Sequence, residues 1–235
     1  MSSPGADEAL ILAGGFGTRL APVIGGRQKV VADVAGRPFL ERLLRQLASH
    51  GVTKAVLCTG YRADEVRAQL GDRSGSLKIE YSVEDEPLGT GGALRRAAAA
   101  VAGPHVLAMN GDSFCDIDLA AFAQRHVRNG AAATIVALHR EDRSRSGAVE
   151  IDTGGKVTRF LSRPLSDGPG LINAGIYMFR RETLFEIPAG RKVSLEQEVF
   201  PGLVEKGALY AWSSNADFID IGTPDSYREA QTKFA

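Results

Sequence analysis

Short apolar runs alternate with amphipathic stretches over the first 130 residues of the chain. Four of the apolar runs have the length and composition of buried strands: 10–13, 54–59, 77–83 and 105–109. Four stretches repeat apolar residues at helical spacing: 37–50, 63–70, 92–101 and 119–129. Strands separated by helices favour a parallel sheet covered on both faces, and ligands bind beyond the carboxyl ends of such strands.

After residue 130 strand-like runs follow one another with few helices between them. These runs are 132–139, 147–151, 156–161, 172–179 and 208–213. The segment Asp-Thr-Gly-Gly at 152–155 is typical of a hairpin turn, and helical patterns return at 195–206 and from Pro224. We therefore expect a single α/β domain over residues 1–235, with a Rossmann-like mixed sheet that is mainly parallel and has helices on both faces.

Composition and charge narrow the class of protein. The chain has 28 Lys and Arg residues and 28 Asp and Glu residues, so no net charge draws it to nucleic acid or to an anionic membrane. The distant Cys58 and Cys115 indicate neither a disulfide framework nor a zinc site. The sequence shows no basic leader before an apolar run, and no apolar run approaches ~18 residues, so we expect a cytoplasmic protein without a membrane span. Whether it forms a homo-oligomer is left open by the sequence.

The glycine-rich segment LILAGGFGTRL at 10–20 follows the first predicted strand. Glycines there allow backbone N–H groups to approach phosphate closely. The segment is neither a GxxxxGK[ST] P-loop nor a GxGxxG dinucleotide motif, which argues against an NAD-dependent oxidoreductase. Arg19 ends the loop and Lys29 follows ten positions later. Two such cations can close over a polyphosphate, although solvated surface charge is the ordinary alternative.

Several motifs together resemble the sugar-1-phosphate nucleotidyltransferases. The first is LAGGFGTRL followed by Pro22, Lys29 and GRPFLERLL. Further runs come in the family's order: EDEPLGTGGAL (84–94), NGDSF (110–114), INAGIYMF (172–179), SLEQEVFP (194–201) and DFIDIGTPDSY (217–227). The resemblance covers nearly the whole chain. It is strongest to D-glycero-alpha-D-manno-heptose 1-phosphate guanylyltransferases, with mannose-1-phosphate guanylyltransferases and muramate-1-phosphate uridylyltransferases as near relatives.

The resemblance implies the nucleotide-diphospho-sugar transferase fold and a specific reaction. Heptose 1-phosphate would attack GTP, with Mg²⁺ as cofactor, to give GDP-heptose and pyrophosphate for capsule or lipopolysaccharide synthesis. It implies a nucleotide-binding half at about 1–130 and a sugar-phosphate-binding half at about 131–235. Three alternatives stay open: mannose 1-phosphate as the sugar, UTP as the nucleotide, and a non-catalytic subunit that binds sugar nucleotide.

The resemblance also assigns individual residues. It assigns a catalytic role to Arg19 and Lys29 and metal binding to Asp112 and Asp220. The nucleotide would be bound by the two glycine loops: Leu12, Ala13, Gly14, Gly15, Gly17, Thr18, Glu84, Gly89 and Thr90. The sugar phosphate would be bound by residues of the second half: Gly147, Arg163, Asn173 and Glu196. Two departures affect the sugar site, since Ser162 and Arg163 stand where the family usually has glutamate and lysine.

Residue chemistry supports part of this assignment. Asp112 follows an apolar strand at its carboxyl end, and two acids beside a polyphosphate suit Mg²⁺, which prefers oxygen ligands. The Glu84 carboxylate can accept hydrogen bonds from both N1–H and N2–H of guanine, which favours GTP. Gln28 and Val30 replace the prolines that often bracket the lysine, so we expect a more mobile loop there. Structural roles as turn formers, helix caps or strand-end amides are the alternatives for Asp112, Asp220, Thr90, Asn173 and Glu196.

Overall fold

The computed structural model describes residues 7–143, 147–162 and 168–235, which form a large sheet flanked by helices. The described strands are β1 Glu8–Leu12, β2 Asp33–Val34, β3 Arg37–Pro38, β4 Lys54–Thr59, β5 Arg73–Ser74, β6 Leu77–Val83, β7 His105–Asn110, β8 Ser113–Cys115, β9 Ala133–Arg140, β10 Ala148–Ile151, β11 Val157–Leu161, β12 Gly170–Arg180, β13 Leu209–Ser214 and β14 Phe218–Asp220. The described helices are α1 Phe39–Ser49, α2 Ala63–Leu70, α3 Gly89–Ala97, α4 Leu119–Asn129, α5 Arg181–Glu186, α6 Phe200–Glu205 and α7 Pro224–Lys233.

The main sheet has the order β11-β10-β12-β7-β1-β4-β6-β5, and β9 joins β12 to β13. Its centre is parallel, because β1 pairs in parallel with β4 and β7, and β4 pairs in parallel with β6. The long strand β12 runs antiparallel to β7, β9 and β10. The predicted mixed sheet, mainly parallel, is therefore confirmed.

Both faces of the central strands are covered by apolar side chains. Ile11 of β1 belongs to one buried cluster that includes Leu40, Leu43 and Leu47 of α1. The neighbouring Leu10 belongs to a second cluster, with Leu94 of α3 on the opposite face. Burial on both faces explains why these strands read as continuous apolar runs. Each fully buried leucine stabilises the fold by about 1.5–3 kcal/mol relative to an exposed one.

The register of the parallel strands creates the edge on which the site lies. Leu12 at the end of β1 pairs with Cys58 of β4 and with Asn110 of β7. The carboxyl ends of these strands are therefore level, and the glycine loop and Asp112 emerge beside one another. This is the edge at which α/β sheets bind their ligands.

The predicted elements differ from the observed ones mainly at their ends and in short strands. The helix predicted over 37–50 begins at Phe39, because Pro38 disfavours helical geometry for the residue before it. The helix predicted over 195–206 begins as the π-helical turn Leu195–Val199. Short β8 and β14 were not predicted, yet they pair antiparallel and place Asp220 opposite Ser113. Within the described residues, no helix is long and apolar enough to cross a membrane.

Candidate active site

The first glycine loop leaves β1 against the neighbouring strand β4. Ala13 N–H donates to the Cys58 carbonyl at 2.8 Å, which holds the start of the loop. Gly17 has a φ of +61°, and a Cβ there would lie 2.9 Å from Lys29 Cβ. Glycine is therefore required at position 17 both by the backbone conformation and by close packing on the Lys29 side chain.

A first cavity of about 360 Å³ opens between the two glycine loops. It is lined by most of the residues predicted to bind nucleotide: Leu12, Gly14, Gly15, Glu84, Gly89 and Thr90. Lys29 and Asp112 also line it, whereas Ala13, Gly17 and Thr18 belong to the first loop but lie outside this lining. The structure thus brings together two loops that are about 70 positions apart in the sequence.

A second cavity of about 200 Å³ lies beside the first. Its lining contains residues predicted for three different roles: Arg19, Gly147, Asn173, Glu196 and Asp220. Asn110 and Asp112 line both cavities, so the two cavities meet at these side chains. The predicted sugar-phosphate residue Arg163 lies outside the described residues.

Lys29 and Asp112 form an ion pair where the two cavities meet. The Lys29 ammonium contacts Asp112 Oδ2, and Ser113 Oγ donates to Asp112 Oδ1 at 3.3 Å. The side chains of Lys29 and Asp112 are 14% and 26% exposed, so both remain accessible from the cavities. The cation predicted to bind phosphate and the acid predicted to bind metal are therefore direct neighbours.

Asp220 is fixed at the start of α7. Its Oδ1 accepts from Gly222 N–H at 2.6 Å and from Ser226 Oγ at 3.1 Å. Thr223 and Ser226 form a capping box that begins the helix. No described residue donates a hydrogen bond to Asp220 Oδ2, which leaves one carboxylate oxygen available for a ligand.

Asp112 and Asp220 suit a magnesium ion that is held partly by substrate better than a metal ion that is coordinated by protein side chains alone. They offer hard carboxylate oxygens on one cavity wall. Among the described residues there is no group of three or more His, Cys, Asp or Glu side chains arranged to hold a metal. Mg²⁺ is commonly bound by one or two carboxylates together with substrate phosphates, which matches this donor set.

Glu84 lies in the first cavity at the entrance to the second glycine loop. Leu88 N–H donates to Glu84 Oε2 at 2.9 Å and orients the carboxylate. Burial raises the pKa of Glu84 above its usual value, although the Leu88 hydrogen bond and the charge of Arg96 oppose that shift. The carboxylate is thus held in a partly dehydrated position, where hydrogen-bond donors on a ligand would stabilise its charged form.

The second glycine loop is fastened to the segment that carries Glu196. Gly91 N–H and Gly92 N–H donate to the Val193 carbonyl at 2.9 and 3.3 Å. The Thr90 hydroxyl donates to Glu196 Oε2 at 2.9 Å and accepts from Leu195 N–H at 2.8 Å. Thr90 therefore links a residue predicted to contact nucleotide with one predicted to contact the sugar.

Gly89→Ala is expected to destabilise the protein more than Gly190→Ala. Both glycines have a φ of +71°, but a Cβ at Gly89 would lie 2.5 Å from the Val193 carbonyl oxygen, whereas Gly190 has open space. Gly190→Ala should cost about 1 kcal/mol from backbone strain alone, and Gly89→Ala about 2–4 kcal/mol because the 191–193 segment must shift. Chemical denaturation of the two variants measures the difference, and equal losses would contradict the packing argument.

Several residues at the site were not assigned a role from the sequence. Phe16, Asn110 and Lys192 line the cavities, and Tyr177 is buried beside Asn173. Asn173 Nδ2 donates to the Tyr177 hydroxyl at 2.9 Å, and the Asn110 side chain also hydrogen-bonds to this phenol, whose pKa is raised by burial. Asn110 could have been found from its place at the end of a strand in the NGD run, whereas Lys192 and Tyr177 carried no such signal.

Comparison with known proteins gives consistent matches over almost the whole chain. A family model described as nucleotidyl transferase matches residues 8–235. The chain is 36% identical over 223 residues to mannose-1-phosphate guanylyltransferase from Mycobacterium tuberculosis, covering 94% of this chain and 62% of that protein. It is 34% identical over 225 residues to D-glycero-alpha-D-manno-heptose 1-phosphate guanylyltransferase from Aneurinibacillus thermoaerophilus, covering 95% of this chain and 96% of that protein.

A solved structure also matches this chain over almost its whole length, with a similar sequence identity. The crystal structure of HddC from Yersinia pseudotuberculosis complexed with GMP-PN has a TM-score of 0.86 and 33% identity, covering 97% of this chain and 99% of that chain. This chain spans less than two thirds of the mycobacterial relative but almost the full length of the heptose relative. The predicted nucleotide-diphospho-sugar transferase fold is confirmed by these matches.

Proposed function

The chain belongs to the nucleotidyl transferase family, and we propose that it transfers a guanylyl group from GTP to a sugar 1-phosphate with release of pyrophosphate. The observation that carries this proposal is the meeting of two cavities at Asn110 and Asp112. Both glycine loops line the first cavity, which would hold the nucleotide. Residues of the second half make up most of the lining of the other cavity, which would hold the sugar phosphate. The two substrates would therefore react at the junction.

The proposed reaction does not require a general base. A sugar phosphate oxygen is already an anion, so it can attack the α-phosphorus of GTP while the bond to pyrophosphate breaks. This agrees with the position of the histidines, since neither cavity lining contains one, and His105 and His126 contact each other instead. The protein's task is to align the phosphates and to stabilise crowded negative charge.

Arg19 and Lys29 would supply most of the positive charge. Lys29 lines the first cavity and Arg19 the second, so each proposed substrate site contains one of the two cations. Lys192 adds a third cation to the first cavity. Fixed charges that oppose the negative charge of the transition state lower the barrier without a reorganisation cost at the moment of reaction.

Asp112 and Asp220 would hold the proposed Mg²⁺ cofactor. Mg²⁺, when bound, neutralises phosphate charge and fixes the phosphates relative to one another. Asp220 is oriented for this by Gly222 and Ser226 through one oxygen only. Asp112 would be the other carboxylate that holds the cofactor, and its partner Lys29 lines the first cavity, where an ammonium can contact phosphate.

Glu84 is proposed to read the guanine base. Glu84→Gln is expected to reduce kcat/KM for GTP by about 10- to 100-fold. The carboxamide has an NH2 donor in place of one carboxylate oxygen, so it cannot offer a separate oxygen to each of N1–H and N2–H of guanine. The reduction for UTP and ATP should be much smaller. Measuring kcat/KM for each nucleotide in the wild type and the variant tests this, with Glu86→Gln as the control because Glu86 is exposed on the same loop.

The pH dependence of binding gives an independent measurement of the same role. Because burial raises the pKa of Glu84, the carboxylate is protonated at a higher pH than an exposed one. Protonation removes an acceptor, so GTP affinity should fall as the pH is lowered through that pKa. The Glu84→Gln variant should lack this fall. Equal losses for all nucleotides, or an unchanged pH profile, would contradict base reading by Glu84.

D-glycero-alpha-D-manno-heptose 1-phosphate is the sugar substrate we propose. The support is the heptose relative, which this chain matches over nearly its full length. Mannose 1-phosphate is the second candidate because of the mycobacterial relative at 36% identity. Pyrophosphate release should be measured with each sugar phosphate against GTP, UTP, ATP, CTP and dTTP. If pyrophosphate were released with mannose 1-phosphate alone, mannose 1-phosphate would replace heptose 1-phosphate as the proposed substrate. If no combination of sugar phosphate and nucleotide released pyrophosphate, a non-catalytic subunit would be favoured.

The biological setting follows from the proposed product. GDP-heptose would be an activated donor for glycosyl transfer, so we propose a cytoplasmic role in supplying capsule or lipopolysaccharide assembly. The division into a nucleotide-binding half and a sugar-phosphate-binding half is proposed on the same basis, since residues before 130 dominate the first cavity and residues from both halves line the second.

A further inference from the structure

Gln28 is a buried polar residue directly before Lys29. It is 1% exposed, and its side-chain amide bonds to three backbone groups. Nε2 donates to the Ala13 carbonyl at 2.7 Å and to the Gly15 carbonyl at 3.1 Å. Oε1 accepts from Val30 N–H at 2.7 Å. Both N–H donors and the acceptor oxygen of the carboxamide are therefore engaged, which makes burial of this polar group tolerable.

The buried Gln28 amide orients two carbonyl groups of the first glycine loop. Gly14 and Gly15 line the first cavity, and carbonyl oxygens directed into it would repel phosphate. The Ala13 and Gly15 carbonyls instead accept hydrogen bonds from the buried Gln28 amide. Gln28 thereby holds two negative backbone dipoles away from the place where the triphosphate would bind.

Gln28 also fixes the short turn that carries Lys29. The Gln28 side chain caps the short 3₁₀ turn Lys29–Val31 by accepting from Val30 N–H. The Gln28 backbone N–H donates to Glu65 Oε2 in α2 at 3.1 Å, which anchors the turn from a second direction. The turn is therefore anchored both to the glycine loop and to α2, although the absence of flanking prolines led us to expect a mobile loop. The Gln28 φ of −66° matches the value that proline would impose.

We propose that Gln28 is a positioning residue that holds the first glycine loop and Lys29 in the relative placement required by the triphosphate. Gln28 does not line either cavity, so it acts through the loop carbonyls and through Lys29. This inference rests on the proposed function. A small misplacement of charged groups around a phosphate can cost about 10²-fold in rate.

The test compares Gln28→Met with Gln46→Met. Gln46 is a second buried glutamine, 8% exposed, and its Nε2 donates to the Cys115 carbonyl at 2.7 Å away from both cavities. Gln28→Met is expected to lower kcat/KM for GTP by about 10- to 100-fold, whereas Gln46→Met should lower Tm with little effect on the rate of the folded enzyme. Gln28→Glu, which keeps an acceptor for Val30 but loses both donors, serves if the methionine variant does not fold.

A double-mutant cycle with Lys29→Ala separates positioning from a purely structural role. Because Gln28 acts partly through Lys29 and partly through the loop carbonyls, Gln28→Met should lower the rate by a clearly smaller factor in the Lys29→Ala background than in the wild type. Equal losses in both backgrounds, or a loss matched by Gln46→Met, would overturn the proposal. The dissociation constant of Mg²⁺–GTP, measured by calorimetry, should also rise in Gln28→Met. An unchanged constant would overturn the inference even if the wild type released no pyrophosphate, an outcome that would separately reject the proposed function.

Discussion

Replacing Lys29 with alanine is expected to reduce kcat/KM for GTP by about 10²- to 10³-fold. The Lys29 ammonium lies in the first cavity and contacts Asp112 at the junction with the second. In the proposed reaction it opposes the charge that develops on the phosphate oxygens. Alanine removes that charge and also leaves Asp112 without its counter-ion, so the loss should be larger than for any surface cation.

The matched control is Arg27→Ala. Arg27 is an exposed cation in the same segment and lines neither cavity, so its removal should change kcat/KM by less than about twofold. Steady-state kinetics with GTP and sugar 1-phosphate, together with Tm values for both variants, separate catalysis from folding. If Lys29→Ala kept the wild-type rate, its catalytic role would have to be withdrawn.

The local parts of the fold were predictable because they depend on short-range patterns. The strands β4 and β6 and the helices α2 and α4 occur where apolar periodicity predicted them. Their sequences combine a buried face or run with a glycine or polar boundary, and those signals are contained within each element. The glycine loop and the two predicted cations were found for the same reason, since they lie within 20 positions of one another.

The non-local parts were not predictable from these patterns. Asp220 reaches the same cavity as Asp112 only because β14 pairs with β8, and each of these strands has three residues. A strand of three residues is too short to show the alternation of apolar and polar residues from which strands are predicted. The proximity of Asp112 and Asp220 was instead expected from the family resemblance.

Buried polar contacts form a third group, which sequence patterns do not reveal. Gln28 and Tyr177 carry ordinary side chains, and their importance lies in which carbonyls and amides surround them after folding. Thr90 shows the same limit, since its hydroxyl bonds to Glu196 and Leu195 and does not cap α3. Such roles depend on partners from distant parts of the chain, and only the packed structure brings those partners together.

The two carboxylates at the junction differ in a way that makes a magnesium role testable. Asp112 is paired with Lys29, so its replacement also disturbs a cation. Asp220 has no cationic partner among the described residues, and its hydrogen bonds to Gly222 and Ser226 use one oxygen that asparagine can reproduce. Asp220→Asn therefore removes one negative charge without disturbing a cation, which Asp112→Asn cannot do.

Asp220→Asn is expected to lower kcat by about 10²-fold or more and to raise the Mg²⁺ concentration for half-maximal activity by about 10-fold. Asp112→Asn should lower kcat at least as much, since it removes a proposed ligand and leaves Lys29 unpaired. Asp116→Asn is the control, because Asp116 is an exposed acid close in sequence that lines neither cavity. Mn²⁺ binding measured by electron paramagnetic resonance should weaken in the first two variants alone. Wild-type Mn²⁺ affinity in both variants would mean that these acids do not bind the metal and serve only to orient Lys29 and the start of α7.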